Sequence, residues 1–257
     1  MMEFERFEAF FHRYCHDYSR FISPGDPNLE LKKDHSLRVA SHAGRLAENE
    51  NFGPRLTLAA RLAGLFHDIG RFEQYVGHKT FKDTDSVDHA KLGFKILARQ
   101  NILDGITAAD SRCIRLAVLF HNRLKLPRGL PEEISMVSRA VRDADKLDIF
   151  PVMISHLKPG GFNNNVVTLG LEDCDAITPA IFEQVSSGRL GEYARMRYVN
   201  DFKLLICSWV YDLNFAYSCR QVLGQAYIQK VFELLPDRQD MHTLKSRIVG
   251  YLENTSA

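Results

Sequence analysis

The helical spacing of its apolar residues is the feature of this sequence that most restricts its fold. In the first 21 residues, aromatic side chains recur at steps of three or four, which places them on one face of an α-helix. These residues are Phe4, Phe7, Phe11, Tyr14, Tyr18 and Phe21. Similar spacing recurs along the 257-residue chain, and only Val166–Leu169 fits a short strand. The pattern predicts an all-α protein.

Proline and glycine divide this pattern into separate helices. The first helix is expected to stop at 23–27, and Pro54 fits the start of the third helix. Between them a second helix carries His35, Val39, His42 and Leu46 on one face. Later helices are predicted over 88–100, 107–122 and 131–156, and again from about residue 178. The polar segment 77–88 and the loop with Pro159 and Asn163 are predicted to be irregular.

We interpret the chain as one all-α domain over residues 1–257. Its core is expected at about 30–156, with a C-terminal helical extension at about 175–257 packed on that core. The extension is rich in aromatic residues, which fit a core and would also allow a homodimer interface.

Charge and cysteine content restrict the possible partners and location. The net charge is +1, which gives no overall attraction to nucleic acid or anionic membranes. The five cysteines are odd in number and form no CxxC pair, as expected for free thiols in a reducing compartment. No secretory signal is evident, and no run of about 18 apolar residues predicts a membrane span. We therefore expect a cytoplasmic protein without membrane or extended nucleic-acid partners.

The segment Leu65-Phe66-His67-Asp68-Ile69-Gly70-Arg71 carries the strongest chemical signal. It places an imidazole and a carboxylate side by side after an apolar helix that Gly70 is expected to end. Both groups are good ligands for a divalent transition metal. An isolated His-Asp pair is common, so its meaning depends on the surrounding sequence.

Two further residues complete a recognisable order of ligands. His35 lies on the preceding predicted helix, in Asp-His-Ser-Leu-Arg-Val, and Asp145 lies at the end of a later one, in Asp-Ala-Asp-Lys-Leu-Asp. This order resembles the HD superfamily of metal-dependent phosphohydrolases over roughly residues 30–150. The resemblance implies an HD-domain helical bundle with a metal site formed by His35, His67, Asp68 and Asp145.

Two additional histidines resemble the two-metal branch of the same superfamily. His89 opens one predicted helix, and His121 closes another. By that resemblance these two residues would hold a second metal, with Asp68 bridging the two. The expected cofactors are one or two ions of Mn, Fe, Co, Ni or Zn, and they would activate a bridging water for attack on phosphorus.

Residues close to the predicted metal ligands are candidates for catalysis and substrate contact. Asp68, Arg71 and Lys146 are predicted to act in catalysis, the two cations as phosphate partners. An ion pair of Lys146 with Asp143 or Asp148 is an equal alternative. His78 and Lys79, in the irregular segment, are candidates for substrate contact.

One departure narrows the choice of substrate. The region after His121 loosely resembles HD-GYP cyclic-dinucleotide phosphodiesterases, but Asn122 replaces a histidine and the GYP triplet is absent. A third metal and cyclic-di-GMP as substrate are therefore not indicated.

The sequence leaves three functions open. The first is hydrolysis of a phosphomonoester or phosphodiester, with a small nucleotide as the expected substrate. The second is a sensor or scaffold that binds a nucleotide without turnover. The third is an oxygenase, because four histidines and two aspartates also suit a mixed di-iron site.

Overall fold

In a computed structural model of the protein, residues 2–157 and 171–256 are described. Helices dominate both ranges, and within them no strand occurs, only one isolated bridge between Glu172 and Tyr198. The all-α prediction is confirmed. The loop with Pro159 and Asn163 and the short strand at 166–169 lie outside the described residues.

The chain divides into two compact units, Met1–Asp145 and Lys146–Ala257. The second unit begins earlier than the extension predicted from about residue 175. Whether the two units form a single domain stays a prediction. Among the helices of the described ranges, none has both the length and the apolar character that a membrane span requires.

Six helices belong wholly to the first unit, and a seventh, α7 (Glu132–Leu157), continues past its end. The six are α1 (Met2–Ser19), α2 (Asn28–Asn49), α3 (Gly53–Phe66), α4 (Gly70–His78), α5 (His89–Arg99) and α6 (Ala108–Phe120). The bounds of α5 and α6 lie close to the predicted ones, whereas α4 was not predicted, and its end extends into the segment predicted to be irregular. Asp145 lies well inside α7 rather than at its end.

The aromatic stripe of α1 packs behind the turn that carries His67 and Asp68. Phe11 contacts Phe66 and Phe72 edge-on, with ring centroids 6.1 and 5.8 Å apart. Phe66 and Phe72 are fully buried, one on each side of the turn. The prediction that Phe21 extends the stripe is wrong, because α1 ends at Ser19 and Phe21 is exposed. The stripe therefore gives the His-Asp turn a rigid apolar support.

Close backbone packing brings the ligand-bearing helices together. A Cβ atom on Gly64 of α3 would lie 3.1 Å from the Cα atom of Ala40 on α2. The prediction that Gly70 ends a helix is wrong, because Gly70 is the first residue of α4. A Cβ atom there would lie 2.2 Å from the carbonyl oxygen of His89, at the start of α5. Glycine at this position lets the α4 and α5 backbones meet.

Replacement of Gly70 by alanine is expected to lower the free energy of unfolding by about 1–3 kcal/mol, because backbone atoms must shift to admit the methyl group. Gly77 lies on the same helix with no atom within 4 Å of a Cβ position. Gly77→Ala should therefore be neutral or stabilising by about 0.4–1 kcal/mol. Urea unfolding of both variants measures the difference. Equal effects at the two positions would contradict the close α4–α5 packing.

The second unit is built from short helices around its own apolar core. They are α8 (Pro179–Ser186), α9 (Val199–Ser208), α10 (Ala216–Gly224), α11 (Tyr227–Phe232) and α12 (Gln239–Ser256). Phe150 of α7 stacks on Tyr227 with ring centroids 5.3 Å apart and meets Trp209 edge-on at 5.7 Å. Within this unit, these aromatic residues serve as core.

Candidate metal centre

Three predicted ligands from three different helices or turns form the first group. The Nε2 atom of His35, on α2, lies 3.2 Å from Nε2 of His67 and 3.1 Å from Oδ1 of Asp145 on α7. His67 follows α3, so the group depends on tertiary packing rather than on sequence spacing. Nitrogen and oxygen atoms from these three residues converge closely enough to hold one ion.

The two additional histidines form the second group. His89 is the first residue of α5, and His121 directly follows α6. Their Nε2 atoms lie 3.0 Å apart. Both side chains are buried. The observed helix ends match the predicted places of these two residues.

Asp68 lies between the two groups and presents a different oxygen to each. Its Oδ2 atom lies 3.6 Å from Nε2 of His67 and 3.9 Å from Nε2 of His35. Its Oδ1 atom lies 3.3 Å from Nε2 of His89 and 3.7 Å from Nε2 of His121. One carboxylate can therefore contribute a ligand atom to each of two neighbouring positions.

Hydrogen bonds fix the orientation of three imidazoles. Nδ1 of His67 donates to the Gly64 carbonyl and Nδ1 of His121 to the Val118 carbonyl, both at 2.7 Å. Nδ1 of His89 donates to the Asp83 carboxylate at 2.7 Å. Carbonyl and carboxylate oxygens accept only, so the proton is on Nδ1 and the Nε2 lone pair is available. Such outer hydrogen bonds are typical of metal-binding histidines.

The ionisation states of these groups also suit metal binding. Burial lowers the pKa of His67 to about 4 and also lowers the pKa of His89, so both are neutral at pH 7. Burial alone would raise the pKa of Asp68, but Lys32 and His67 outweigh it and hold that pKa well below its usual value. Burial would also raise the pKa of Asp145, but the hydrogen bond from His35 outweighs burial and lowers that pKa. His67 and His89 are therefore neutral imidazoles, and Asp68 and Asp145 are ionised carboxylates.

The donor set fits divalent metal ions. Two nitrogen ligands about 2.1 Å from one ion lie about 3.0–3.4 Å apart, for angles between right and tetrahedral. The two observed nitrogen pairs, at 3.0 and 3.2 Å, lie in this range. Oδ1 of Asp145 is buried and lies 3.1 Å from Nε2 of His35 and 3.9 Å from Nε2 of His67, the same nitrogen atoms that would face the ion. Four imidazoles with two carboxylates suit several transition metals.

Asp83 is a functional residue that the sequence reasoning missed. Besides binding His89, its Oδ1 atom accepts from Nη1 of Arg71 at 2.8 Å and from the Gln74 amide at 3.0 Å. Burial would raise the pKa of Asp83, but the bond to His89 and the Arg71 charge lower it to about 2. Asp83 therefore stays ionised and orients His89. It lies in an irregular turn, where no periodic pattern marks it.

Replacement of Asp83 by asparagine is expected to weaken metal binding roughly 10–100-fold, because it removes the ionised partner of His89. Asp85 lies in the same short turn, exposed and paired with Lys82 at 3.0 Å. Asp85→Asn is thus a matched control that should bind metal as the wild type does. Competition with a metal-sensitive dye measures both affinities. Equal affinities of the two variants would contradict a role for Asp83 in orienting His89.

Two cations also contact Asp68. Nζ of Lys32 lies 2.8 Å from Oδ2, and Nε of Arg71 lies 3.4 Å from Oδ1. Arg71 was predicted, and it also donates to the carbonyl of Phe81. Lys32 was missed, although it precedes His35 by three residues and so shares its face of α2. The structure therefore places positive charge beside the carboxylate that joins the two groups.

The structure also describes the surroundings of the remaining predicted residues. Lys146 belongs to the second unit and pairs with Asp212 at 2.8 Å. His78 and Lys79 are exposed at the far end of α4, about 12 Å along the helix axis from Gly70. Asn122 approaches Oδ2 of Asp83 at 3.5 Å. The proposed roles of Lys146, His78 and Lys79 stay predictions.

Comparison with known proteins identifies the segment that carries both groups. A family model described as HD domain matches residues 33–149. This match agrees with the HD resemblance predicted over roughly residues 30–150. The match includes all six predicted ligands, and HD domains are generally metal-dependent hydrolases. Searches among curated proteins and among solved structures find no significant match.

Proposed function

We propose that this HD-domain protein hydrolyses a phosphate ester at a two-metal centre. The position of Asp68 supports this proposal most strongly, because each of its carboxylate oxygens faces a separate pair of histidines. A site for a single metal would need only one pair of histidines beside Asp68. A carboxylate shared by two ions is typical of centres that hydrolyse phosphate esters.

The ligands of the chain have distinct tasks in this proposal. His35, His67 and Asp145 would hold one ion, His89 and His121 the other, and Asp68 would contact both. Two divalent ions so held would supply Lewis acidity and an activated water for attack on phosphorus. A nucleophilic side chain is then not required.

The protein around the ligands prepares the site for an anionic substrate. Hydrogen bonds to backbone carbonyls and to Asp83 hold the imidazoles in place, so little reorganisation is needed when substrate binds. Arg71 keeps its positive charge beside Asp68. Burial of five of the six ligands, all except the partly exposed Asp145, limits access of bulk water and strengthens the interactions of charged groups.

We further propose a phosphomonoester or phosphodiester of a small nucleotide as the substrate. The near-neutral chain offers no overall attraction to a long nucleic acid. This part of the proposal rests on the resemblance of the ligand pattern, and the substrate assay decides it.

The test is a matrix of metals and substrates. Chelator-treated protein is loaded separately with Mn(II), Fe(II), Co(II), Ni(II) and Zn(II). Each form is assayed for release of phosphate or aryl alcohol from aryl phosphate mono- and diesters and from a nucleotide panel. We expect turnover with at least one metal and loss of turnover on chelation.

Failure of hydrolysis points to one of the two alternatives. Tight nucleotide binding with no product in any metal form would favour a sensor or scaffold. Oxygen consumption by the iron-loaded protein, with no release of phosphate or alcohol, would favour an oxygenase. Either result would contradict the proposed function.

A further inference from the structure

Lys32 occupies an unusual position for a lysine outside the recognised ligand set. Its Nζ atom lies 2.8 Å from Oδ2 of Asp68, the oxygen that faces His35 and His67. Its side chain is 24% exposed, whereas that of Asp68 is 4% exposed. The Lys32 side chain is therefore more open to solvent than the carboxylate that it contacts.

The surroundings of Lys32 allow the ammonium group to move. Its second close neighbour is the ring of Phe81, whose centroid lies 5.4 Å from Nζ. The face of an aromatic ring attracts a cation without fixing it in one direction. The flexible four-carbon side chain of lysine lets its ammonium group take several positions around a fixed Cα atom. Lys32 can therefore leave Asp68 while it remains near the site.

A metal ion on Oδ2 would place two cations on one oxygen. At a metal–oxygen distance of about 2.1 Å, the ion and the ammonium group could be no more than about 5 Å apart. Repulsion at that separation is strong in a site with little water. Lys32 thus competes with the ion for Asp68, and a bound ion would displace the ammonium group from that carboxylate.

The charge balance then favours an anion beside Lys32. Without metal, the carboxylates of Asp68, Asp83 and Asp145 exceed the two cations Lys32 and Arg71 by one charge. Two divalent ions would reverse this balance to a net charge of about +3. A phosphoryl group is the anion that the proposed reaction brings to this position.

We propose that Lys32 is a phosphate-binding residue, which contacts the phosphoryl oxygens of the substrate when metal occupies Asp68. The inference rests on the proposed function, since it names a substrate contact of the same site. Lys32 lies one residue before the segment that matches the HD domain, so that match assigns it no role.

Replacement of Lys32 by methionine, which keeps the length of the side chain, tests this proposal. Lys33 provides the matched control, because it is adjacent on α2 and pairs with Glu30 rather than with a ligand. Manganese affinity is measured by calorimetry on chelator-treated protein. Affinity for inorganic phosphate is then measured at saturating manganese for wild type, Lys32→Met and Lys33→Met.

The proposal expects effects of opposite sign. Lys32→Met should bind manganese more tightly, because a competing cation is removed, and should bind phosphate about tenfold or more weakly. Lys33→Met should match the wild type in both. A residue that only maintains the fold would weaken both affinities, and that result would overturn the proposal.

Measurement of turnover distinguishes failure of the Lys32 role from failure of the proposed function. A wild-type protein that hydrolyses phosphate esters, with a Lys32→Met variant that binds phosphate equally well, overturns the role of Lys32 alone. A manganese-loaded wild type that neither binds phosphate nor hydrolyses esters overturns both. Restoration of phosphate affinity by Lys32→Arg would support a requirement for positive charge at this position.

Discussion

Replacement of Asp68 by asparagine is expected to reduce turnover roughly a thousandfold or more, because both ions would lose their shared ligand. Asparagine keeps the shape of the side chain but removes its charge and presents an amide donor to a cation. Metal content should fall from about two ions per chain to one or none, since a ligand of each site is lost. Steady-state kinetics and elemental analysis on the same preparation measure the two effects.

The control for Asp68 is a carboxylate that lies near the ligands in sequence. Asp34 directly precedes His35 on α2 and is exposed. Asp34→Asn makes the same chemical change and should keep both the metal content and the turnover of the wild type. Full activity of Asp68→Asn would contradict the shared-ligand arrangement, whatever the control shows.

Replacement of His121 by alanine is expected to remove one ion and leave the other. His121 and His89 face Oδ1 of Asp68, whereas His35 and His67 face Oδ2. Metal content should fall from about two ions to one, and turnover roughly a hundredfold or more, because both ions act on the same ester. Elemental analysis and kinetics after identical metal loading measure this change.

An exposed histidine outside the centre controls for the loss of an imidazole. His12 lies on α1 and is exposed, and it belongs to neither ligand group in the described part of the chain. His12→Ala should keep about two ions per chain and full turnover. If His121→Ala also keeps both ions, the second group does not hold a metal.

Much of the fold was predictable because helical periodicity is a local property of the sequence. The α1 stripe, the place of Pro54 and the bounds of α5 and α6 follow from residues three or four positions apart. The role of Gly70 was predicted incorrectly. Glycine is common after a helix, and the approach of the His89 backbone that requires it comes from a distant segment.

The ligand set was predictable for a different reason. His35, His67, Asp68 and Asp145 occur in an order that resembles a known family, although their contacts span more than 100 positions. The helix that carries Asp145 was predicted over 131–156, close to its observed bounds, but Asp145 was wrongly placed at its end. That these residues bind metal stays a prediction, although the structure brings their ligand atoms together.

The residues around the ligands were less predictable. Asp83 contacts His89 from an irregular turn, and its role depends on how that turn packs against α4 and α5. Lys32 could have been found from its helical spacing to His35, but a lysine on a helix is more often a solvated surface residue. Such partners are set by tertiary packing, which short-range patterns do not encode.

Anomalous scattering from crystals of the manganese-loaded protein tests the two-metal centre most directly. Data collected on both sides of the manganese absorption edge should show two peaks, one on each side of the Asp68 carboxylate. One should lie among His35, His67 and Asp145, and the other between His89 and His121. A single peak, or two peaks that do not share Asp68, would contradict the proposed centre.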